Sequence, residues 1–217
     1  AAMHATALLK VRHLALQDPE VGSKSDYSKM RSEDVLDVIE LIGRMSVDST
    51  IYNTVRLLVD AITDSRNKNK FTTTQKADWA SRLISIVEQR LPDPKNIQHR
   101  GYVLVCKAAI FSLVDTSWSQ WDGLIAQVTD VPNIADRAFI LTALAVALPK
   151  KFASHRKNLL ERATKEIDSI PSPLDRLSHM QGYAEEVHAA DATASVKETL
   201  KAAMKLSLKL DEVARVS

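Results

Sequence analysis

The run from Ile134 to Leu148, Ile-Ala-Asp-Arg-Ala-Phe-Ile-Leu-Thr-Ala-Leu-Ala-Val-Ala-Leu followed by Pro149, restricts this chain more than any other stretch. After Arg137 its only side chain with a hydrogen-bonding group is Thr142. A helix apolar nearly all round has to be covered on several sides, so this one is predicted to sit at the centre of a helical domain. It falls short of the roughly 20 apolar residues of a membrane span. Asp136-Arg137 and Lys150-Lys151 also place its two ends at a water boundary.

The rest of the chain agrees with helices joined by short turns. Only 5 Gly and 7 Pro occur in 217 residues, and 29 basic residues face 27 acidic ones. That balance is no nucleic-acid signature by itself. The single cysteine, Cys106, lies in an apolar run and reads as a small buried thiol. One cysteine cannot form an internal disulfide, which fits a reducing, cytoplasmic setting. Ala1-Ala2-Met3-His4 has no basic region ahead of an apolar core, so no signal peptide is expected. A segment of a longer regulatory protein is an expectation consistent with that start.

Taken in order, Ala5 to Gln17 has a helical pattern ended by Asp18-Pro19, and the polar stretch Gly22 to Arg31 reads as the loosest connection. Residues 1–31 are therefore set apart from a repeat domain over 32–217. Ser32-Glu33-Asp34 starts a helix through Met45, and Asp48-Ser49-Thr50 starts another with Tyr52, Val55, Leu57, Leu58 and Ile62 inward. Thr72 to Thr74 caps a third, whose stripe is Ala77, Ala80, Leu83, Ile84 and Val87 and which Leu91-Pro92-Asp93-Pro94 ends.

From Asn96 onward the chain resembles itself. Placing Arg100, Arg137 and Arg176 in one register aligns Asn-Ile-Gln-His-Arg, Asn-Ile-Ala-Asp-Arg and Ser-Pro-Leu-Asp-Arg at spacings of 37 and 39 residues. Six positions after each arginine stand Cys106, Ala143 and Gly182, and eight after stand Ala108, Ala145 and Ala184. Small residues at fixed helix positions let a second helix approach closely. Second helices are related too: Leu159 to Lys165 resembles Thr199 to Lys205, with Trp118 to Val128 a shorter counterpart.

Over Asn96 to Leu210 this register resembles the α-solenoid families. Its period lies between the figure of about 34 for tetratricopeptide repeats and roughly 40 to 47 for HEAT and armadillo repeats. Gly182-Tyr183 and Ala203 echo the tetratricopeptide pattern, whose tryptophan and closing proline do not recur in register. The resemblance implies an all-α fold of about ten helices, stacked as antiparallel pairs in a right-handed solenoid that presents a concave surface to a partner. It implies no chemistry.

Three groups are candidates for binding that partner. Arg100, Arg137 and Arg176 form a ladder able to grip carboxylates or phosphates, or else act structurally by bridging neighbouring repeats. Trp118, Trp121 and Asp122 offer two indoles one turn apart beside a carboxylate. Such a group can stack a base or clasp a side chain, or else cap the gap between helices. This fragment is similar to the tryptophan and aspartate groove of a HEAT-like DNA glycosylase family, which implies nucleic-acid binding as the alternative function. The basic stretch with Lys150, Lys151, His155, Arg156, Lys157, Arg162 and Lys165 reads as a solvated face.

Glu185 and His188 stand at a metal-ligand spacing, yet no second Glu-x-x-His exists to complete a two-metal bundle. Zincin, paired-cysteine, phosphate-loop and nucleophile-elbow motifs are absent from the sequence. The sequence therefore points to a non-catalytic scaffold that binds a protein or peptide. No cofactor, metal, catalytic residue or membrane contact is expected.

Overall fold

Local hydrogen bonds at the helix starts set the frame. Thr72 and Gln75 form a reciprocal box: the Thr72 N–H donates to Gln75 Oε1 at 2.8 Å and the Gln75 N–H to Thr72 Oγ1 at 3.1 Å. At another start, Asn133 Oδ1 accepts from the Ala135 N–H at 2.8 Å and the Asp136 N–H at 3.4 Å. At a third, the Asp34 carboxylate accepts the Arg31 N–H at 2.8 Å. Each satisfies donors that a helix start otherwise leaves orphaned.

The computed structural model describes residues 30–45, 48–64, 67, 69–90 and 97–189. Among these it is all-α, with eight helices packed against their neighbours and no strand. They are α1 (Ser32–Gly43), α2 (Asp48–Thr63), α3 (Thr73–Arg90), α4 (Ile97–Phe111), α5 (Trp118–Ala126), α6 (Ile134–Ala147), α7 (Ala153–Asp168) and α8 (Pro173–Ala189). Short 3-10 turns, Gln127–Asp130 and Lys150–Phe152, lead into α6 and α7. The expected helices over Ala5 to Gln17 and around Thr199 to Lys205 lie outside the described residues, as does most of the Gly22 to Arg31 connection.

The chain divides into two compact units, Ala1–Ser117 and Trp118–Ser217. Composition suggests a single boundary at 31/32, whereas this division falls between α4 and α5, the helices that the repeat register pairs.

In the first unit α1 buries Val35, Val38, Ile39 and Ile42, one face at 3.6-residue spacing. Its start is tied to that of α3 by Gln75 Nε2 donating to Ser32 Oγ at 2.9 Å. Helix α2 packs on α4, where Tyr52 and Tyr102 meet at 5.8 Å between ring centroids. Lys107 of α4 reaches Glu88 of α3 at 2.7 Å. Two inward expectations need correction. Leu57 is 36% exposed, and the buried row of α3 is Trp79, Ala80, Leu83 and Val87 with Ala77 outside. Trp79 takes that place by setting its ring edge-on to Phe71, with centroids 5.1 Å apart.

The second unit is built on α6, which packs against both α7 and α8. Ala138, Ile140, Leu141, Thr142, Leu144 and Ala145 are buried. Burying one such Ile or Leu side chain is worth about 1.5–3 kcal/mol. The Thr142 hydroxyl donates to the Ala138 carbonyl at 2.8 Å, so the one polar side chain of the run is satisfied within its own helix. Coverage is not complete, because Phe139 is 37% exposed. Helix α7 contributes Leu159, Leu160, Ala163 and Ile167, and α8 contributes Met180, Tyr183, Ala184 and Val187. No helix among the described residues is long and apolar enough to cross a membrane.

Candidate partner-binding cleft

Two of the three helix starts that recur in sequence, those of α6 and α8, recur in geometry. Arg137 Nη1 donates to the Val131 carbonyl, six residues back, at 2.8 Å and to the Pro132 carbonyl at 3.0 Å. Arg176 donates from Nε and Nη2 to the Ile170 carbonyl, also six residues back, at 3.0 and 2.6 Å. Both carbonyls belong to buried residues. Each start carries a capping residue at the same place, Asn133 or Ser172; the Ser172 hydroxyl accepts the Asp175 N–H at 3.3 Å. The wider pattern Val131-Pro132-Asn133 and Ile170-Pro171-Ser172 was the signal in the sequence for this clamp.

The two arginines differ in what else they hold. Arg137 also grips the Glu166 carboxylate of α7 in a bidentate pair, Nε to Oε1 at 3.2 Å and Nη2 to Oε2 at 2.9 Å. Four bonds thus occupy a guanidinium that has five N–H donors. Arg100 is half-buried on α4 in the first unit.

The two tryptophans part company. Trp121 is fully buried and offers no face to a partner, while Asp122 is exposed. The half-buried Trp118 lies stacked on His155, with centroids 3.6 Å apart and planes at 22°, and Phe152 meets it edge-on at 5.3 Å. Lys151 Nζ sits 5.0 Å from the centre of the Phe152 ring. Beside this corner Arg156 donates from Nη2 to the Leu148 carbonyl, and burial holds its guanidinium below its ordinary pKa. The i, i+3 spacing of the tryptophans puts them near one face of a short helix but does not say which of them has a neighbour above it.

The same register brings Ala143 and Gly182 to one cleft between α6 and α8, with a volume of ≈ 70 Å³. That is about half of the roughly 150 Å³ known to admit benzene in an engineered cavity. Ala138, Thr142, Ile167 and Tyr183, all buried, form its floor. Phe139 stands at the α6 rim; Ser178, His179 and Glu186 stand at the α8 rim. A Cβ placed at Gly182 would meet no neighbouring atom within 4 Å. Close helix approach therefore does not account for this small residue, contrary to the expectation for its register position. Ala145 and Ala184, two positions on, are buried as close packing requires. The recurrence of 179, 182 and 186 at helical spacing, polar with one glycine, was the only hint of this wall in the sequence.

What the cleft offers is an apolar slot with an imidazole and a carboxylate at its mouth. The one thiol, Cys106, is buried in α4, and desolvation pushes its pKa up to about 12, so it is not a thiolate nucleophile at neutral pH. No group of three His, Cys, Asp or Glu that could hold a metal ion occurs among the described residues. Comparison with protein-family models, with curated proteins and with solved structures finds no match for the chain.

Proposed function

We propose that the chain is a non-catalytic helical-repeat scaffold of the α-solenoid kind, and that it holds a protein or peptide partner in the cleft between α6 and α8. One observation carries this reading. The same register position of two successive first helices, Ala143 and Gly182, lines one cleft, and the starts of these two helices share a clamp onto the carbonyl six residues back. Repeat proteins use the surface formed by equivalent helices of adjacent repeats for recognition. Clefts between helices with an apolar lining and a few polar groups at the rim are also usual binding places.

The test compares what the native chain and Gly182→Leu retain from a nuclease-treated lysate. A partner held by the native chain and lost from the variant, with both melting alike, is the expected result. A set of partners identical for the two would remove the cleft from the function.

A second reading, nucleic-acid binding, rests on the stack of Trp118 on His155 beside Lys151 and Phe152. An aromatic platform flanked by cations suits single-stranded nucleic acid. In this reading retention falls steeply with added salt, because phosphate contacts release counterions, and Trp118→Ala weakens it. Salt-independent retention would discard it.

A further inference from the structure

One face of α7 carries cations that the fold leaves unpaired. His155, Asn158, Arg162 and Lys165 follow one another at three- and four-residue steps, the spacing of a single helix face, and no carboxylate interrupts the row. Asn158, Arg162 and Lys165 are exposed and His155 is half-buried. The neighbouring carboxylates of the helix face other cations: Glu166 is gripped by Arg137, and Glu161 stands 3.9 Å from Lys157. Arg162 and Lys165 form no ion pair among the described residues. Asp168, one turn past Lys165, marks the end of the row.

At its N-terminal end this row runs into the aromatic corner. His155 is both a member of the row and the ring stacked on Trp118, with centroids 3.6 Å apart, while Phe152 meets Trp118 edge-on. Both stacked rings are half-buried, so the stack reaches the surface. Exposed Lys150 and Lys151 precede it on the 3-10 turn. A rise of 1.5 Å per residue puts Arg162 about 10 Å and Lys165 about 15 Å along the axis from His155. Aromatic surface and cations thus succeed one another along a single line, the combination that tracks a nucleic-acid backbone and stacks its bases. An acidic peptide would use the cations and leave the rings idle. A duplex keeps its bases stacked on one another, out of reach of a surface ring.

Resting on the nucleic-acid reading above, we infer that α7 is the backbone-binding track of that site: one base of a single strand prolongs the Trp118–His155 stack, and the phosphates that follow lie on Arg162 and Lys165. At about 3.4 Å per nucleotide of a stacked strand, the distance from His155 to Lys165 takes roughly four nucleotides. The track reads strandedness and charge rather than sequence, because every base has a π-face and every nucleotide a phosphate.

The experiment is fluorescence anisotropy of the full chain with a labelled thymidylate octamer, a duplex of the same length and a glutamate octapeptide, each across a salt series. The octamer should bind about tenfold more tightly than the duplex or the peptide. Arg162→Ala combined with Lys165→Ala should flatten the slope of log affinity against log salt by about 1.4, two contacts at roughly 0.7 each. Trp118→Ala should weaken binding about tenfold and leave that slope unchanged, since it removes stacking and no charge. Trp118→Phe keeps a ring, should fall between, and replaces the alanine variant if that one melts early. Octamer binding that needs Trp118 but keeps its full slope in the Arg162 and Lys165 variant would overturn the track and leave the nucleic-acid reading standing. Equal binding of the duplex or of the glutamate peptide would overturn single-strand recognition, the latter in favour of an acidic polypeptide. No binding of the octamer, or binding indifferent to Trp118, would end both the inference and the reading it rests on.

Discussion

Helix α6 buries Ala138, Ile140, Leu141, Thr142, Leu144 and Ala145, whereas α8, begun by the same clamp and cap one repeat later, buries Met180, Tyr183, Ala184 and Val187 and sets His179 and Glu186 at a rim. The common features are those that close the turn and let helices approach: the arginine on a buried residue's carbonyl, the capping side chain, the alanine eight places on. The divergent ones are the outward rows. Neighbours explain the difference in burial, since α6 meets α7, α8 and the turn at 127–130. In this unit, repetition traces the framework and departure from it traces the candidate site.

The comparison breaks most decisively at the shared alanines. Ala145→Glu forces an unpaired carboxylate into a closed contact and should cost about 4 kcal/mol or more in urea unfolding. Ala184→Glu, 4% exposed against none for Ala145, should cost less because a small shift brings its carboxylate to water. Equal losses would remove the special place of α6. The clamps come next. Arg137→Ala should cost about 2–3 kcal/mol because it leaves Glu166 and two carbonyls short of donors, and Arg176→Ala about 1 kcal/mol. If denaturation ranks them the other way, the Glu166 pair contributes nothing.

Gly182→Ala should go in the opposite direction, raising stability by about 0.5–1 kcal/mol through helix propensity. A lowered melting temperature would show that the cleft needs glycine for packing after all. Smallest is Lys151→Glu, at the exposed turn between α6 and α7. Loss of its place over Phe152 should cost less than about 1 kcal/mol, and a larger change in thermal unfolding would mean the turn itself depends on that contact.

Much of this was readable beforehand where the physics is local. Thr72 with Gln75, Asn133 ahead of α6 and the breaks after Arg90 and Leu148 follow from capping and proline chemistry within a few residues. Side-chain placement was less legible wherever a distant neighbour decides it. The run around Phe139 reads apolar all round, yet that ring stands 37% exposed at the edge of the cleft that Gly182 also lines. Trp118 and Trp121 look equivalent in sequence, yet Trp121 is fully buried while Trp118 stays half-buried against Phe152 and His155. The cleft was hidden for a deeper reason. It is made by what Ala143 and Gly182 lack, and volume left empty writes no pattern of its own.

The carbonyl clamp has a kinetic side. Each closure, Arg137 onto Val131 and Arg176 onto Ile170, spans six residues. Loops this short carry little closure entropy and form on roughly the 10–100 ns scale known for ten-residue loops. Two helix starts are thereby able to lock in while the chain is still extended, one repeat apart and without reference to each other. The bond from Arg137 to Glu166, which spans 29 residues, then reports a later event, the docking of α7 onto a helix whose beginning has already been set.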